Sequence, residues 1–264
     1  RVLAVASGKG GVGKSSVTVN VAAALAHRGF RVGVIDADIW GFSVPRMLGL
    51  DGRLEARSTG DGTRPVIVPH SLVVGEGRLD VVSMGFLVED EESALLWRGL
   101  MLNRAVQHFL EDVAWSDDLD YVMIDMPPGT GDVAMGLARM LPRAELIVVT
   151  TPATGAQKVA TRAVTMARKS HIRVAGVIEN MSAFTADDGT EYALFGRGGG
   201  ERLATEAGVP LIGSIPLEPE VSNGGDEGRP VALGEGRAAE AFRGIAERIA
   251  TDIAPPVEMA GCTA

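Results

Sequence analysis

The sequence predicts an α/β protein, a doubly wound, mostly parallel sheet with helices on both faces. Short runs rich in β-branched residues recur along the chain, they are apolar throughout instead of alternating, and stretches of helical length separate them. A strand that is apolar on both faces is covered on both. Repetition of strand and helix brings each strand back parallel to the last. With 264 residues, 46% of them hydrophobic, the chain can bury one large core. A single domain over residues 1–264 is the simplest organisation, with a core to about residue 253 and a tail over 254–264.

The first strand is Val2–Ala6. A helix follows from Ser15 to Arg28, with Val17, Val21, Ala24 and Leu25 on one face and Gly29 as its stop signal. Val32–Asp36 is the second strand. Residues 51–85 break the rhythm, because Gly, Arg and Asp dominate around the short runs Val66–Val68 and Leu72–Val74. A surface excursion is expected there, with a hairpin as one option. A helix is expected from Ser93 to Asp112, then strands at Tyr121–Asp125, Leu146–Thr150 and Val174–Ile178, and a helix opening at Gly198–Glu201. A last helix, Ala238–Asp252, carries Phe242, Ile245, Ala246 and Ile249 at helical spacing, with Ile253 following. Its other face mixes Glu240, Arg243, Glu247, Arg248 and Asp252, so it is expected to pack on its own domain and not on an anionic membrane.

Between the first strand and the first helix lies Ser7-Gly-Lys-Gly-Gly-Val-Gly-Lys-Ser-Ser16. It matches G-x-x-x-x-G-K-[ST] through Gly8, Gly13, Lys14 and Ser15 in the context that motif demands. Glycines at Gly8, Gly10, Gly11 and Gly13, with Val12 between, let successive backbone N–H groups turn toward phosphate oxygens, and the helix start adds its positive end. Lys14 is expected to reach the β and γ phosphates of a nucleotide, Ser15 to give its hydroxyl to Mg²⁺, and Ser16 to continue the cradle. Asp125 ends an apolar strand before Met-Pro-Pro-Gly-Thr-Gly-Asp132, where a carboxylate can hold the same Mg²⁺. Asp36-Ala-Asp38 ends the second strand, and one of its two carboxylates is expected to orient or activate water.

Lys9 is a second lysine in a loop that ordinarily needs one. On it, the stretch GKGGVGKS is similar to the deviant Walker A signature of dimeric MinD/ParA ATPases. Within that class the chain resembles the Mrp/ApbC iron–sulfur cluster carriers over almost its whole length. The motifs are Ala4–Ser16, Asp36-Ala-Asp-Ile-Trp-Gly41, Pro45–Gly49, Ser83-Met-Gly-Phe86, Asp125–Asp132, Glu179-Asn-Met-Ser182, Phe195–Glu201 and Gly213-Ser-Ile-Pro-Leu217. The resemblance implies a P-loop NTPase fold, ATP hydrolysis, and an ATP-dependent homodimer in which Lys9 serves the partner's nucleotide; with Asp38 as the only candidate for activating water and no second base evident, hydrolysis is expected to be slow. The resemblance implies Asp38 as the water-activating carboxylate, Asn180 near the adenine, and Pro216 in the wall of the base pocket. It also implies apo iron–sulfur proteins as clients. The other reading of Lys9 is added positive potential on its own loop.

One departure stands beside these matches. The family's Cys-x-x-Cys pair normally follows Glu-Asn-Met-Ser. Here that stretch is Phe184-Thr-Ala-Asp-Asp-Gly-Thr-Glu-Tyr192, with Ala186 where the first thiol would stand. Carboxylates such as Asp187 and Asp188 are hard ligands that substitute poorly for thiolates on a cluster. Cys262, in the tail, is the chain's one cysteine, so a dimer would offer two thiolates.

Composition narrows the classes further. The net charge is −9, and four of the 25 basic residues are lysines, two of them in the opening loop, which leaves no evident basic stripe for a nucleic-acid backbone. There is no long apolar run, which argues against a membrane partner, and the single cysteine suits a reducing cytoplasm. The chain opens on Arg1 without an initiator methionine, so a preceding family domain is expected outside it. Three classes remain: an ATPase of iron–sulfur cluster assembly, a nucleotide-switched positioning or partner-binding ATPase, and an ATP-dependent ligase on a similar fold. Lys9 and the carrier-like motifs argue against the third.

Overall fold

The computed structural model describes residues 1–38, 41–58, 65–87, 99–129, 136, 140 and 143–257. Its centre is a sheet of strands β1 (Val2–Ser7), β2 (Arg31–Asp36), β5 (His70–Val74), β6 (Gly77–Ser83), β7 (Tyr121–Asp125), β8 (Glu145–Thr150), β9 (Arg173–Glu179) and β12 (Leu211–Ser214). The order is β12-β9-β8-β1-β7-β2-β6-β5, parallel throughout except for the edge pair β5·β6. Two small antiparallel pairs lie apart from it: β3 (Glu55–Arg57) with β4 (Val66–Val68), and β10 (Phe184–Thr185) with β11 (Glu191–Tyr192).

Strand alternation divides the core into two layers. Leu3, Val5, Val34, Val81 and Met123 point to the face covered by α1 (Lys14–His27) and, farther along the chain, α7 (Arg237–Arg248). Ala4, Ala6, Ile35, Val82 and Ile124 point to the opposite face, covered by α3 (Gly99–Glu111), α4 (Thr154–Lys169) and α5 (Gly199–Glu206). Two short helices, α2 (Val44–Met47) and α6 (Pro219–Asp226), sit beyond the carboxyl ends of the strands.

Each strand expected from an apolar run is present to within a residue or two. Helix α1 was expected to show one apolar face, yet its residues from Val17 to Ala26 are buried almost all round. The reason is α7, which packs Phe242, Ile245 and Ala246 over the outer side of α1. The apolar face of the last helix is thus spent inside the domain, and the helix ends in a π-helical turn, Ile249–Ile253. Among the described residues no helix is long and apolar enough to cross a membrane.

The stretch 51–85 is a surface excursion only in its first half. Its second half is the hairpin β5–β6, and β6 is an interior strand, second from the edge, that pairs with β2 from Arg31↔Arg78 to Asp36↔Ser83. Arg78 and Asp80 hid it by interrupting the apolar run. Asp80 is buried, but it accepts hydrogen bonds from Ser71 at 2.6 Å and Ser116 at 3.1 Å and pairs with Arg78. A satisfied carboxylate of this kind is tolerated inside a sheet. The expected helix from Ser93 is described from Gly99 onward. Trp40, Asp132 and Cys262 lie outside the described residues.

Candidate functional site

The chain winds from β1 toward β2 and, after β7, toward β8, so the loop after β1 sits where the winding reverses. In open sheets this is where ligands bind, outside the carboxyl ends of the strands. Register brings the carboxylates to that edge: Asp36 is the partner of Asp125 across β2·β7, and Val5 of Asp125 across β1·β7.

Asp125 is fully buried and is the hub of the site. Its Oδ1 lies 2.7 Å from Lys14 Nζ and accepts from Thr18 Oγ1 at 2.9 Å, while its Oδ2 accepts from Ser15 Oγ at 2.5 Å. Lys14 Nζ also donates to Ser15 Oγ at 3.2 Å. The loop therefore holds a cation, a hydroxyl and a carboxylate together, which is the donor set a Mg²⁺–phosphate group requires. Thr18 was not expected. It lies three residues after Ser15, on the same face of α1, and that spacing was its one signal in the sequence.

The loop is shaped from outside as well. Gly8 lies against the second turn of α4, where an added Cβ would come within 2.3 Å of the Val159 carbonyl carbon. Gly13 has φ +78°, and an added Cβ there would stand 2.3 Å from Asn180 Nδ2. That amide donates to the Val12 carbonyl at 2.9 Å, so Asn180 fixes the loop directly. Asn180 and Pro216 meet in one cavity of about 220 Å³, walled also by Met47, Leu217, Val221 and Gly225. Its volume is below the roughly 300–1,000 Å³ of drug-sized pockets and suits a single flat ring system. Gly10, Gly11 and Lys9 are exposed on the outer side of the loop, and Ser16 borders the cavity.

The two carboxylates of Asp36-Ala-Asp38 part company. Asp36 Oδ1 accepts from the Asp38 backbone N–H, and Oδ2 accepts from Ser43 N, Val44 N and Ser83 Oγ, the four distances running from 3.0 to 3.2 Å. It thus caps the start of α2 and anchors the segment that carries Asp38. Burial first, and the Asp125 carboxylate second, push Asp36 up to about 7, against the opposing pull of Lys14. Asp38 is itself nearly buried and follows the strand end on the loop leading to α2.

The stretch expected in place of the Cys-x-x-Cys pair is the β10–β11 hairpin. Ala186 N donates to Thr190 O at 2.9 Å, and Asp188 Oδ1 accepts from Thr190 N at 2.9 Å. The Thr190 backbone N–H first, and its side-chain hydroxyl second, hold the exposed Asp188 below the usual carboxylate range. Asp187 and Asp188 therefore build a turn. Among the described residues no group of three or more His, Cys, Asp or Glu side chains is placed to hold a metal ion.

Three of the chain's 25 basic residues, Lys158, Arg162 and Lys169, line up on the exposed face of α4.

Residues 1–250 match the family model described as ParA, NUBPL iron-transfer P-loop NTPase. The chain is 48% identical over 240 residues to an iron-sulfur cluster carrier protein of Mycobacterium leprae, covering 88% of this chain and 59% of that one. It is 43% identical over 256 residues to one of Synechocystis, covering 94% and 70%. Among solved structures it is similar to a nucleotide-binding protein of Archaeoglobus fulgidus in complex with ADP, with a TM-score of 0.75, 34% identity and 91% of each chain covered. The septum site-determining protein MinD of Pyrococcus horikoshii, complexed with Mg-ADP, shares the fold, with a TM-score of 0.70 and 23% identity over 95% of this chain and 96% of that one. The chain spans about 60% of the length of the mycobacterial relatives. With the family model running from the first strand to the last helix, the chain belongs to the NUBPL-type iron-transfer P-loop NTPases of the ParA class.

Proposed function

We propose that the chain is a Mg²⁺-dependent ATPase whose nucleotide-driven dimerisation serves the transfer of iron–sulfur clusters to apo-proteins. The observation that carries the nucleotide half is the convergence of Lys14, Ser15 and Thr18 on the buried Asp125 carboxylate. In this reading Lys14 leaves Asp125 to bind the β and γ phosphates, and Ser15 with Asp125 holds Mg²⁺. The metal, when bound, would neutralise charge on the phosphate oxygens. The backbone from Gly8 to Ser16 cradles the phosphates, with Asn180 and Pro216 at the adenine. Asp38, positioned through its N–H by Asp36, orients the attacking water and accepts its proton. With Asp38 as the one base assigned to the water, turnover is slow. Lys9 extends from the exposed side of the loop to the nucleotide of a second copy.

The cluster is cargo in this scheme, and the names of the relatives support it. The β10–β11 hairpin brings no thiolate, and Cys262 gives two per dimer against the four a cluster ordinarily takes. Any cluster is therefore held loosely, with small thiols or the client completing the shell. Anaerobic reconstitution followed by gel filtration and visible absorbance tests this. The expected result is a substoichiometric, labile cluster that Cys262→Ser eliminates. A stable, stoichiometric cluster in Cys262→Ser would contradict the ligand assignment. The thiol-free hairpin also favours a second reading, a nucleotide-switched partner-binding ATPase without cargo, which predicts no iron or sulfide in either protein.

A further inference from the structure

We propose that the exposed face of α4 is a docking surface for an acidic face of a partner protein. The helix carries Lys158, Arg162, Arg168 and Lys169 and no acidic residue, in a chain whose net charge is −9. At 100° per residue, Lys158, Arg162, Thr165 and Lys169 fall within an arc of about 60°, and the stripe runs for about 16 Å along the axis. All four are exposed, while Ala156, Ala160, Ala163, Val164 and Ala167 hold the opposite face in the core.

Among the described residues the fold makes no use of these charges. Arg1, Arg28, Arg31, Arg46, Arg173, Arg229 and Arg237 are ion-paired, and Arg168 is tied to the Ala207 carbonyl. Lys158, Arg162 and Lys169 have no ion-pair partner among the described residues. The adjacent helix α5 brings the exposed Glu201 and Glu206, and neither pairs with the stripe. Helix stability does not account for the pattern either. Lys169 suits the negative C-terminal end, but Lys158 sits in the second turn, near the positive end, and repels Arg162 one turn on.

The occupant follows from the charge count. Three cations neutralise few phosphates, and a body of net charge −9 repels a long polyanion, which disfavours nucleic acid. A protein face with a short row of carboxylates matches the stripe in sign and length and presents no such polyanion. Because Gly8 is pressed against Val159, the residue after Lys158, the stripe begins beside the nucleotide loop, so a docked partner would sit beside the ATP site. The inference stands on charge and geometry and is independent of whether a cluster is carried.

The test is fluorescence anisotropy with a labelled alanine-based helical peptide bearing glutamates at i, i+4 and i+11. It is titrated with the full chain, with Lys158→Gln/Arg162→Gln/Lys169→Gln, and with the control Arg28→Gln/Arg229→Gln/Arg237→Gln, which removes equal charge elsewhere. The expected result is saturable binding at about 50 mM salt, weakened about tenfold or more by the α4 variant and by about 300 mM salt, and little changed in the control. Nucleotide binding by the α4 variant stays at the parent level. Undetectable binding to the parent, equal affinity in the α4 variant, or an equal loss in the control would overturn the proposal. So would tighter binding of a single-stranded or duplex DNA oligomer through the same three residues.

Discussion

Replacing Lys14 with Ala tests whether the buried pair at the centre of the site holds the nucleotide-free fold as well as binding phosphate. Lys14 and Asp125 are 6% and 0% exposed and lie 2.7 Å apart. Removing the lysine leaves a buried carboxylate with two hydroxyl donors, Ser15 and Thr18, opposite the carboxyl of Asp36. Breaking a buried pair from one side costs about 3–5 kcal/mol. The two remaining hydroxyls place this case near the lower end, about 3 kcal/mol. At about 2–4 °C per kcal/mol for a domain of this size, the thermal midpoint falls by about 6–12 °C. Asp125→Ala strands Lys14 and costs a similar amount. The double variant removes both charges, so its cost falls short of the sum of the singles by about 2 kcal/mol or more. Scanning calorimetry of the four nucleotide-free proteins at neutral pH measures this. Additivity within about 0.5 kcal/mol would refute the pairing. Titration with Mg-ATP gives the second readout, in which Lys14→Ala weakens binding by about 2 kcal/mol or more through loss of a charge-assisted phosphate contact.

Two further predictions concern the frame of the site. Gly8→Ala places a methyl group 2.3 Å from backbone atoms of α4, which cannot yield as a side chain can, so the loop must shift; Mg-ATP binding measured by calorimetry drops at least tenfold, with secondary structure by circular dichroism unchanged. Asp36, raised to about 7 by burial, binds a proton more tightly folded than unfolded, so its contribution to stability is fully present below the ordinary carboxylate range and is lost as pH rises through about 7. The thermal midpoint of the nucleotide-free protein therefore declines between pH 5 and pH 8, and Asp36→Asn flattens that decline; an unchanged slope in the variant would assign it to other groups.

Much of the site was legible because its chemistry is local in sequence. Gly8 to Ser16 form one loop, and Asp125 ends a run of apolar residues whose fate as a buried parallel strand is forced by composition. The aspartate at the end of such a strand must lie at the ligand edge. Asp36 and Asp38 could not be told apart by their residues alone, because they are two positions apart at one strand end, and the resemblance alone pointed to Asp38. Only the donors converging on Asp36 from Ser43, Val44 and Ser83 show that it anchors the loop while Asp38 is carried by it. Strand β6 was illegible because Arg78 and Asp80 satisfy each other within the fold, a fact no periodicity encodes. The all-round burial of α1 depends on α7, more than two hundred residues later, and the basic stripe of α4 emerges only when helical geometry sorts three scattered cations onto one face.

The measurement that bears most directly on the central claim, a nucleotide-operated dimer, is sedimentation velocity of Asp38→Ala with Mg-ATP, with Mg-ADP and without nucleotide. If Asp38 orients the attacking water, the variant is expected to bind ATP at parental affinity and to accumulate as a dimer only in Mg-ATP, and adding Lys9→Ala should return it to monomer while nucleotide stays bound. A protein that binds Mg-ATP yet sediments as the same species in all three conditions would contradict the shared site and with it the role given to Lys9.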